Sequence, residues 1–469
     1  MNTRNISALL LVFGLLAAAP AFAQKTTIKN AETVNLFAAG KPASVTLAVT
    51  KTNWERLQRN PFIFTEAAVI YEGQKLEGAG VRYKGNSTFG GRGPHKSFKV
   101  NLGYFGGTKK LHGQSTLNLH HPFKDPSRVR EVVSYEIFAE AGIKAPRATH
   151  VTLTLSVPGI HDDFNLGVYS LVEQVDKKFL GAHYSDNDGD LFKIEGVGDP
   201  FGESRQRRRG GQRQPYEGFI SKEGSARGPA LSYLLEAVRR GDDGDLEKHL
   251  DVESFLHWLA ANHILANLDS YTGMGHNGYI YAFEKNRFTF IPWDMNEAFG
   301  KFTYGRSQTQ MEGLDIFRPF IRNKALIDRA LGKKAWRALY IENVRSLMKG
   351  SFSEKNVIAK IQAANRRIAA AVRAEKESEH PLSEFDESLD TGGRGIAGFA
   401  TRRARFINRQ LADKKAVAGF LASGPERGES SEERREPGRG RPGFPFPRRG
   451  RPDDGPGGRD DDRPPERRP

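Results

Sequence analysis

Three polar residues, Asp269, Asn277 and Asp294, interrupt the otherwise apolar stretch from Asn262 to Gly300. Two carboxylates and an amide held close together repel one another unless a hard cation joins them, and oxygen donors of this kind suit magnesium carrying a nucleotide phosphate. Asp269 and Asn277 fall in a short loop after an amphipathic helix, and Asp294 ends a strand that begins with apolar residues. A small hairpin would bring the two acids together.

Elements that could complete such a site lie upstream. Two apolar strands flank a loop containing Gly85, Gly90, Gly91 and Gly93, with Arg82, Lys84, Lys96 and Lys99 in or beside them. Such a unit either lays backbone amides over phosphates or is simply a turn. A lysine projecting from the second strand would serve as a phosphate ligand. Side chains three apart on a strand face opposite sides, so Lys96 and Lys99 compete for that role, and Lys99, deeper in the strand, is preferred. Next, Asp125-Pro126-Ser127 opens an amphipathic helix that Gly142 closes, with Val132, Val133, Ile137 and Phe138 as its inward face. Glu131 and Glu136 on this helix either steady the phosphate-binding lysine or are solvated charges. The pair His120-His121 has no ligand partner at helical spacing and reads as structural. Glu173 to Asp176, where a strand turns polar, is either a hinge whose backbone meets a purine edge or a strand end. Asp251 caps the helix that delivers Asp269.

The remaining sequence bounds the setting. Residues 1–23 carry a basic start, an apolar run and Ala-Phe-Ala, the pattern of a cleaved secretory signal. The run is shorter than the ~20 residues of a spanning helix, and no later stretch is apolar enough to cross a bilayer. There is no cysteine, so export brings no disulfide framework. The net charge of +15 favours anionic partners, and an exported chain makes nucleic acid an unexpected one. Residues 199–217 form an arginine- and glycine-rich insertion, and 424–469 are almost wholly charged, proline or glycine. Both compositions predict disorder.

Taken together, RYKGNST (82–88), HKSFKV (95–100), GVYSLVEQVD (167–176), LFK (191–193), GHNGYIY (275–281) and FIPWDMNEAFG (290–300) resemble the spore coat protein H family, the CotH kinases. The resemblance implies an α+β, atypical protein-kinase-like two-lobed fold within residues 24–423. Its β-rich lobe would span about 40–198 and its mainly helical lobe about 228–413. It implies a secreted or periplasmic enzyme that moves the ATP γ-phosphate, with Mg2+ or Mn2+, onto serine or threonine hydroxyls of envelope or surface proteins. Asp269 would be the catalytic-loop aspartate, Asn277 a metal-binding amide and Asp294 the metal-binding aspartate. Arg82, Lys84, Lys96, Lys99, Glu131, Glu136 and Glu173 would form the nucleotide side. Two features depart from ordinary kinases: Met295-Asn296 follows Asp294, and the interval from Asp269 to Asn277 is long. The alternative is a non-catalytic surface or matrix-assembly protein that keeps the kinase-like shape. A glycan hydrolase using the two acids lacks sugar-stacking aromatics beyond Trp293.

Overall fold

The computed structural model describes residues 36–425 apart from 86–88, 90–92, 108–109, 197, 203–217, 225–228, 241–242 and 285. The expected signal segment, most of the arginine-rich insertion, part of the glycine loop and the tail from 426 onward therefore lie outside the described residues. The chain is α+β.

Alternation of apolar and polar residues builds the first part. Strands β1 (Ala43–Ala48), β2 (Thr65–Tyr71), β3 (Gln74–Lys84), β4 (Ser97–Asn101), β5 (Thr116–His120), β6 (Ala148–Val157) and β7 (His161–Val172) close into a barrel in the order β1-β2-β3-β4-β5-β7-β6. Neighbours run antiparallel except β1 and β6, whose parallel pairing shuts the barrel. Val81, Tyr83, Phe98, Val100, Leu117, Leu119, Tyr169 and Leu171 fill its core, joined by Trp54 and Leu57 of helix α1 (Lys51–Arg59). With a period of two, the residues between them face outward. These are Arg82 and Lys84 on β3, Ser97 and Lys99 on β4, Asn118 and His120 on β5, and Ser170 on β7. Ladder pairing sets Arg82 opposite Lys99, Lys99 opposite Asn118, Lys84 opposite Ser97 and His120 opposite Ser170.

An outward polar stripe normally meets water, yet nearly all of this one is buried. Part of its cover is helix α2 (Arg130–Glu140), whose N-terminus is held by Asp125 accepting from Ser127 and Arg130 backbone N–H groups at 3.1 and 3.0 Å. Gly142 ends the helix region at φ +79°, a conformation that favours glycine. Val133, Ile137 and Phe138 of α2, with Val168 and Val172 on the outside of β7, belong to a second, larger core.

That second core serves the rest of the chain. Strands β8 (Leu191–Glu195), β9 (Phe219–Glu223), β10 (His276–Phe283) and β11 (Arg287–Pro292) form a sheet in the order β11-β10-β8-β9. Strand β8, expected with the β-rich lobe, thus pairs with β10 instead. Helix α3 (Lys177–His183) links barrel to sheet, and α4 (Pro229–Arg240), α5 (Asp243–His249) and α6 (Val252–Ile264) lie between β9 and β10 in sequence. Asp251 caps α6 by accepting from Ser254 N–H at 3.2 Å. Helices α7 (Gln308–Glu312), α8 (Ala325–Ala330), α9 (Lys334–Lys349), α10 (Glu354–Arg373), α11 (Leu382–Glu387), α12 (Ile396–Ala412) and α13 (Lys414–Ser423) complete the molecule. Among the described residues no helix is long and apolar enough to cross a membrane.

Candidate active site

The antiparallel pair β10–β11, with Gly278 opposite Pro292, brings the start of one strand beside the end of the other. Asn277, expected in the preceding loop, is instead the second residue of β10, where the β8 pairing shifts register between His276 and Gly278. Its φ of +56° is one that asparagine tolerates better than most residues. Asn277 Nδ2 donates to Asp269 O and Oδ2, and His276 Nε2 meets Asp269 Oδ1 at 2.9 Å. Burial pulls the His276 pKa down, but the hydrogen bond to Asp269 and that carboxylate's charge outweigh it and hold the pKa above the usual histidine value. The Asp269 side chain remains 17 % exposed, so it is steadied but reachable.

Asp294, two residues beyond β11, also sits in the left-handed region at φ +59°, and its N–H donates to Tyr135 Oη at 3.0 Å. Burial raises its carboxyl pKa; His120 and Lys84 oppose this, while Glu131 and Asp269 add to it. Asp269 is thus near enough for its charge to bear on Asp294.

Across from this hairpin stands the polar stripe of the barrel. Lys84 Nζ is hydrogen-bonded to His120 Nε2, and His120 Nδ1 lies 2.9 Å from Glu131 Oε1. An ammonium group can only donate, so Nε2 is the acceptor and Nδ1 carries the proton toward Glu131. Burial, reinforced by the Lys84 charge, lowers the His120 pKa to about 3, so the ring is neutral. Burial also pushes Lys84 down and Glu131 up, each opposed by nearby opposite charge. Glu131 is further held by the Met295 backbone and Ser170 hydroxyl, tying α2 to the barrel and to the segment after β11. Lys84 also lies 5.1 Å from the Trp293 ring centroid. From the second sheet, Lys193 on β8, paired with Glu195 at 2.5 Å, adds positive charge that bears on both Lys84 and His120.

The other expected residues are distributed unevenly. Lys99 shares the outer face of the stripe and its charge acts on Lys84. Arg82 is beside it, with Nη1 donating to Tyr83 O at 3.2 Å and the guanidinium 5.2 Å from the Phe64 ring. Lys96 precedes β4 and donates to Phe89 O at 3.0 Å. Glu136 does not join the cluster: it pairs with Arg367 on α10 at 2.7 Å. It follows Glu131 by five residues, which turns it to a different side of the helix. Glu173 is buried but engaged by Arg147, whose Nε lies 2.9 Å from Oε2.

Several residues at the site were not anticipated. His120, read as structural, is central to it; its partner is on another element eleven residues on, so no single-element spacing marks the pair. Glu297 is buried, accepts from Lys124 at 2.8 Å, and has its pKa raised by burial and then by Asp269. His276 and Lys193 likewise become significant only through contacts made in the fold.

Among the described residues one cluster could hold a metal ion: His120, Glu131 and Asp294 each place a donor atom within 4.8 Å of the others. The His120 acceptor nitrogen is already engaged by Lys84, so an oxygen-seeking ion such as Mg2+ would take Asp294 and leave the ring to the lysine. Both Asn277 bonds to Asp269 use Nδ2, so Oδ1 is the atom that side chain can offer a cation.

Such a convergence of lysine, glutamate, aspartates and an amide offers both cationic groups and oxygen donors for a cation, which suits an anionic ligand that carries a metal ion. Residues 81–407 match the model described as CotH kinase protein, and the chain belongs to that family. It is similar to inner spore coat protein H of Bacillus subtilis (strain 168), with 23% identity over 313 residues, covering 65% of this chain and 80% of the relative.

Proposed function

We propose that the protein is an exported protein kinase of atypical two-lobed form, transferring the γ-phosphate of ATP to serine or threonine hydroxyls of envelope or surface proteins. One observation carries this reading. Lys84, Glu131 and Asp294, from three distant stretches, converge between the barrel and the second sheet, with Asp269 at the exposed rim.

Each residue then has a task that its surroundings suit. Lys84, steadied by His120 and Glu131, neutralises phosphate oxygens, with Lys99 and Arg82 beside it on the same wall. Asp294 and Asn277 Oδ1 hold the divalent ion, Mg2+ or Mn2+. When bound, that ion offsets phosphate charge and aligns the γ-phosphate. Asp269 orients the incoming hydroxyl: His276 and Asn277 each use one acceptor position on its oxygens, and another remains on each. As the hydroxyl oxygen forms its bond to phosphorus, the bond to the ADP oxygen breaks, ADP leaves and the hydroxyl proton passes to Asp269.

The test is Asp294→Asn. Asparagine tolerates the φ of +59°, so this change removes the charge with little backbone strain. Purified mature variant and parent are incubated with labelled ATP, Mg2+ and the producing cell's envelope fraction, and label is located by mass spectrometry. Loss of serine and threonine labelling with an unchanged circular dichroism spectrum is expected. Labelling at the parental rate would overturn the reading.

A further inference from the structure

Two segments that border the site meet on a single aromatic ring. Beyond Asp294 the chain stays tied to the site, with Phe302 N–H donating to Glu297 O at 3.2 Å, and then reaches Tyr304. Further on, Ile321 N–H donates at 2.9 Å to the backbone oxygen of Thr272, three residues past Asp269, and Arg322 follows. The Arg306 guanidinium lies 5.9 Å from the Tyr304 ring centroid, and that of Arg322 lies 5.8 Å from it.

Two like charges gathered on one ring repel each other, and contact with the ring offsets only part of that at an exposed site. A neighbouring carboxylate would normally answer them. None does among the described residues: Arg306 Nη1 donates to Tyr304 O at 3.4 Å, and the guanidinium of the exposed Arg322 has no hydrogen-bond or ion-pair partner there. The local sequence explains this. Residues 300–324 carry the cations Lys301, Arg306, Arg318, Arg322 and Lys324 against two acids, Glu312 and Asp315. Both acids are engaged elsewhere, Glu312 by Arg402 at 2.9 Å and Asp315 by Phe317 N–H at 2.9 Å and Gln410 Nε2 at 2.7 Å. Tyr304 and Arg322 also hold left-handed backbones, with φ of +54° and +59°. Such conformations cost energy in residues other than glycine and gather where function needs a side chain aimed.

We infer that Tyr304, Arg306 and Arg322 form a docking surface for an acidic stretch of a protein substrate, whose glutamate or aspartate side chains flank the hydroxyl presented to Asp269. The inference rests on the proposed function for the role of Asp269 alone. A guanidinium carries its donors in a planar fork that matches a carboxylate, so two of them on one ring suit a peptide with acids in succession. The net charge of +15 favours the same class of partner. Because one segment of the surface leaves Asp294 and the other is bonded to the loop of Asp269, a peptide anchored there carries a hydroxyl a few residues away to the partly exposed Asp269 carboxylate.

The experiment uses the mature chain without ATP and measures fluorescence anisotropy with two labelled peptides. One is glutamate-rich around a central serine, and the other has lysine in place of every glutamate. The parent should bind the glutamate peptide and not the lysine peptide. Arg306→Gln combined with Arg322→Gln should weaken that binding about tenfold. Lys334→Gln combined with Lys349→Gln removes two exposed charges from α9 and should leave it unchanged. Circular dichroism establishes that the variants fold, and Arg322→Gln alone, at an exposed residue, decides the matter through a several-fold loss if the double variant does not. Asp294→Asn should bind the glutamate peptide as the parent does, so a failure of phosphate transfer and a failure of docking are read separately. No preference for the glutamate peptide, parental binding by the Arg306 and Arg322 variants, or an equal loss in the α9 variant would overturn the inference.

Discussion

Asn277 holds Asp269 from a single nitrogen: Nδ2 donates to the aspartate's backbone oxygen at 2.8 Å and to its Oδ2 at 3.0 Å. The amide therefore fixes both where the Asp269 backbone runs and which way its carboxylate turns. Asn277→Gly keeps the positive φ while deleting the amide, so its effect reports the side chain alone. At saturating ATP and Mg2+ the variant should lose at least about 100-fold in kcat, because it removes both the hold on the proton acceptor and the Oδ1 offered to the ion. Steady-state labelling assays check this, and an undiminished kcat would show that Asp269 needs no such hold.

Lys84 and Lys96 separate two ways of placing a cation. Lys84 reaches the buried cluster with His120, Glu131 and Asp294, whereas Lys96 is bonded to Phe89 O. With ATP and Mg2+ at a hundredfold excess over Kd, a native-state ligand stabilises by about 2.7 kcal/mol. Thermal melting should register that gain in the parent and in Lys96→Met, and little of it in Lys84→Met. Equal shifts in all three would remove Lys84 from the nucleotide.

Much of the fold is local enough to be seen in the sequence. The Asp251 cap, the glycine stop at Gly142 and the alternating strands each express a preference within a few residues. The barrel closure is different in kind, because β1 pairs with β6 about a hundred residues away and no local pattern encodes that partnership. The same limit explains the site. Asp269, Asn277 and Asp294 stand out because they interrupt apolar sequence, and Lys84 lies among cations beside glycines. His120 and Glu131 come from a strand and a helix whose relation exists only after α2 covers the outer wall. Glu136 illustrates the converse: an acid on the right helix that turns toward Arg367.

Arg128 and Glu375 form an ion pair with side chains only 5 and 4 % exposed, joining the barrel to the segment after α10. Removing one member leaves the other charge buried without its counterpart, which costs more than the pair itself contributes. Glu375→Ala also strands the Val168 N–H. Urea unfolding should report a loss of about 3–5 kcal/mol. A loss below about 1 kcal/mol, the range of exposed pairs, would mean that water reaches Arg128 once the carboxylate is gone.

Acid should destabilise the protein through its buried neutral histidines, and His263 isolates one of them away from the candidate site. His263 Nε2 donates to Asp315 O at 2.9 Å, while Nδ1 is buried without a partner. Burial, then the neighbouring Arg403 guanidinium, lowers its pKa from 6.5 to about 3, against the smaller opposing effect of the Asp315 bond. Between those values the unfolded chain holds a proton that the folded chain refuses. Stability from this group is therefore complete above pH 6.5 and is lost as pH falls toward 3. One such histidine contributes a slope of about 1.4 kcal/mol per pH unit. His263→Gln should be less stable than the parent at pH 7 because the packed ring is gone, yet its urea midpoint should fall less steeply between pH 6 and 4. Carboxylates elsewhere titrate in both proteins, so the difference between the two curves belongs to this ring. Parallel curves would mean that His263 takes up its proton as readily in the folded protein as in the unfolded chain.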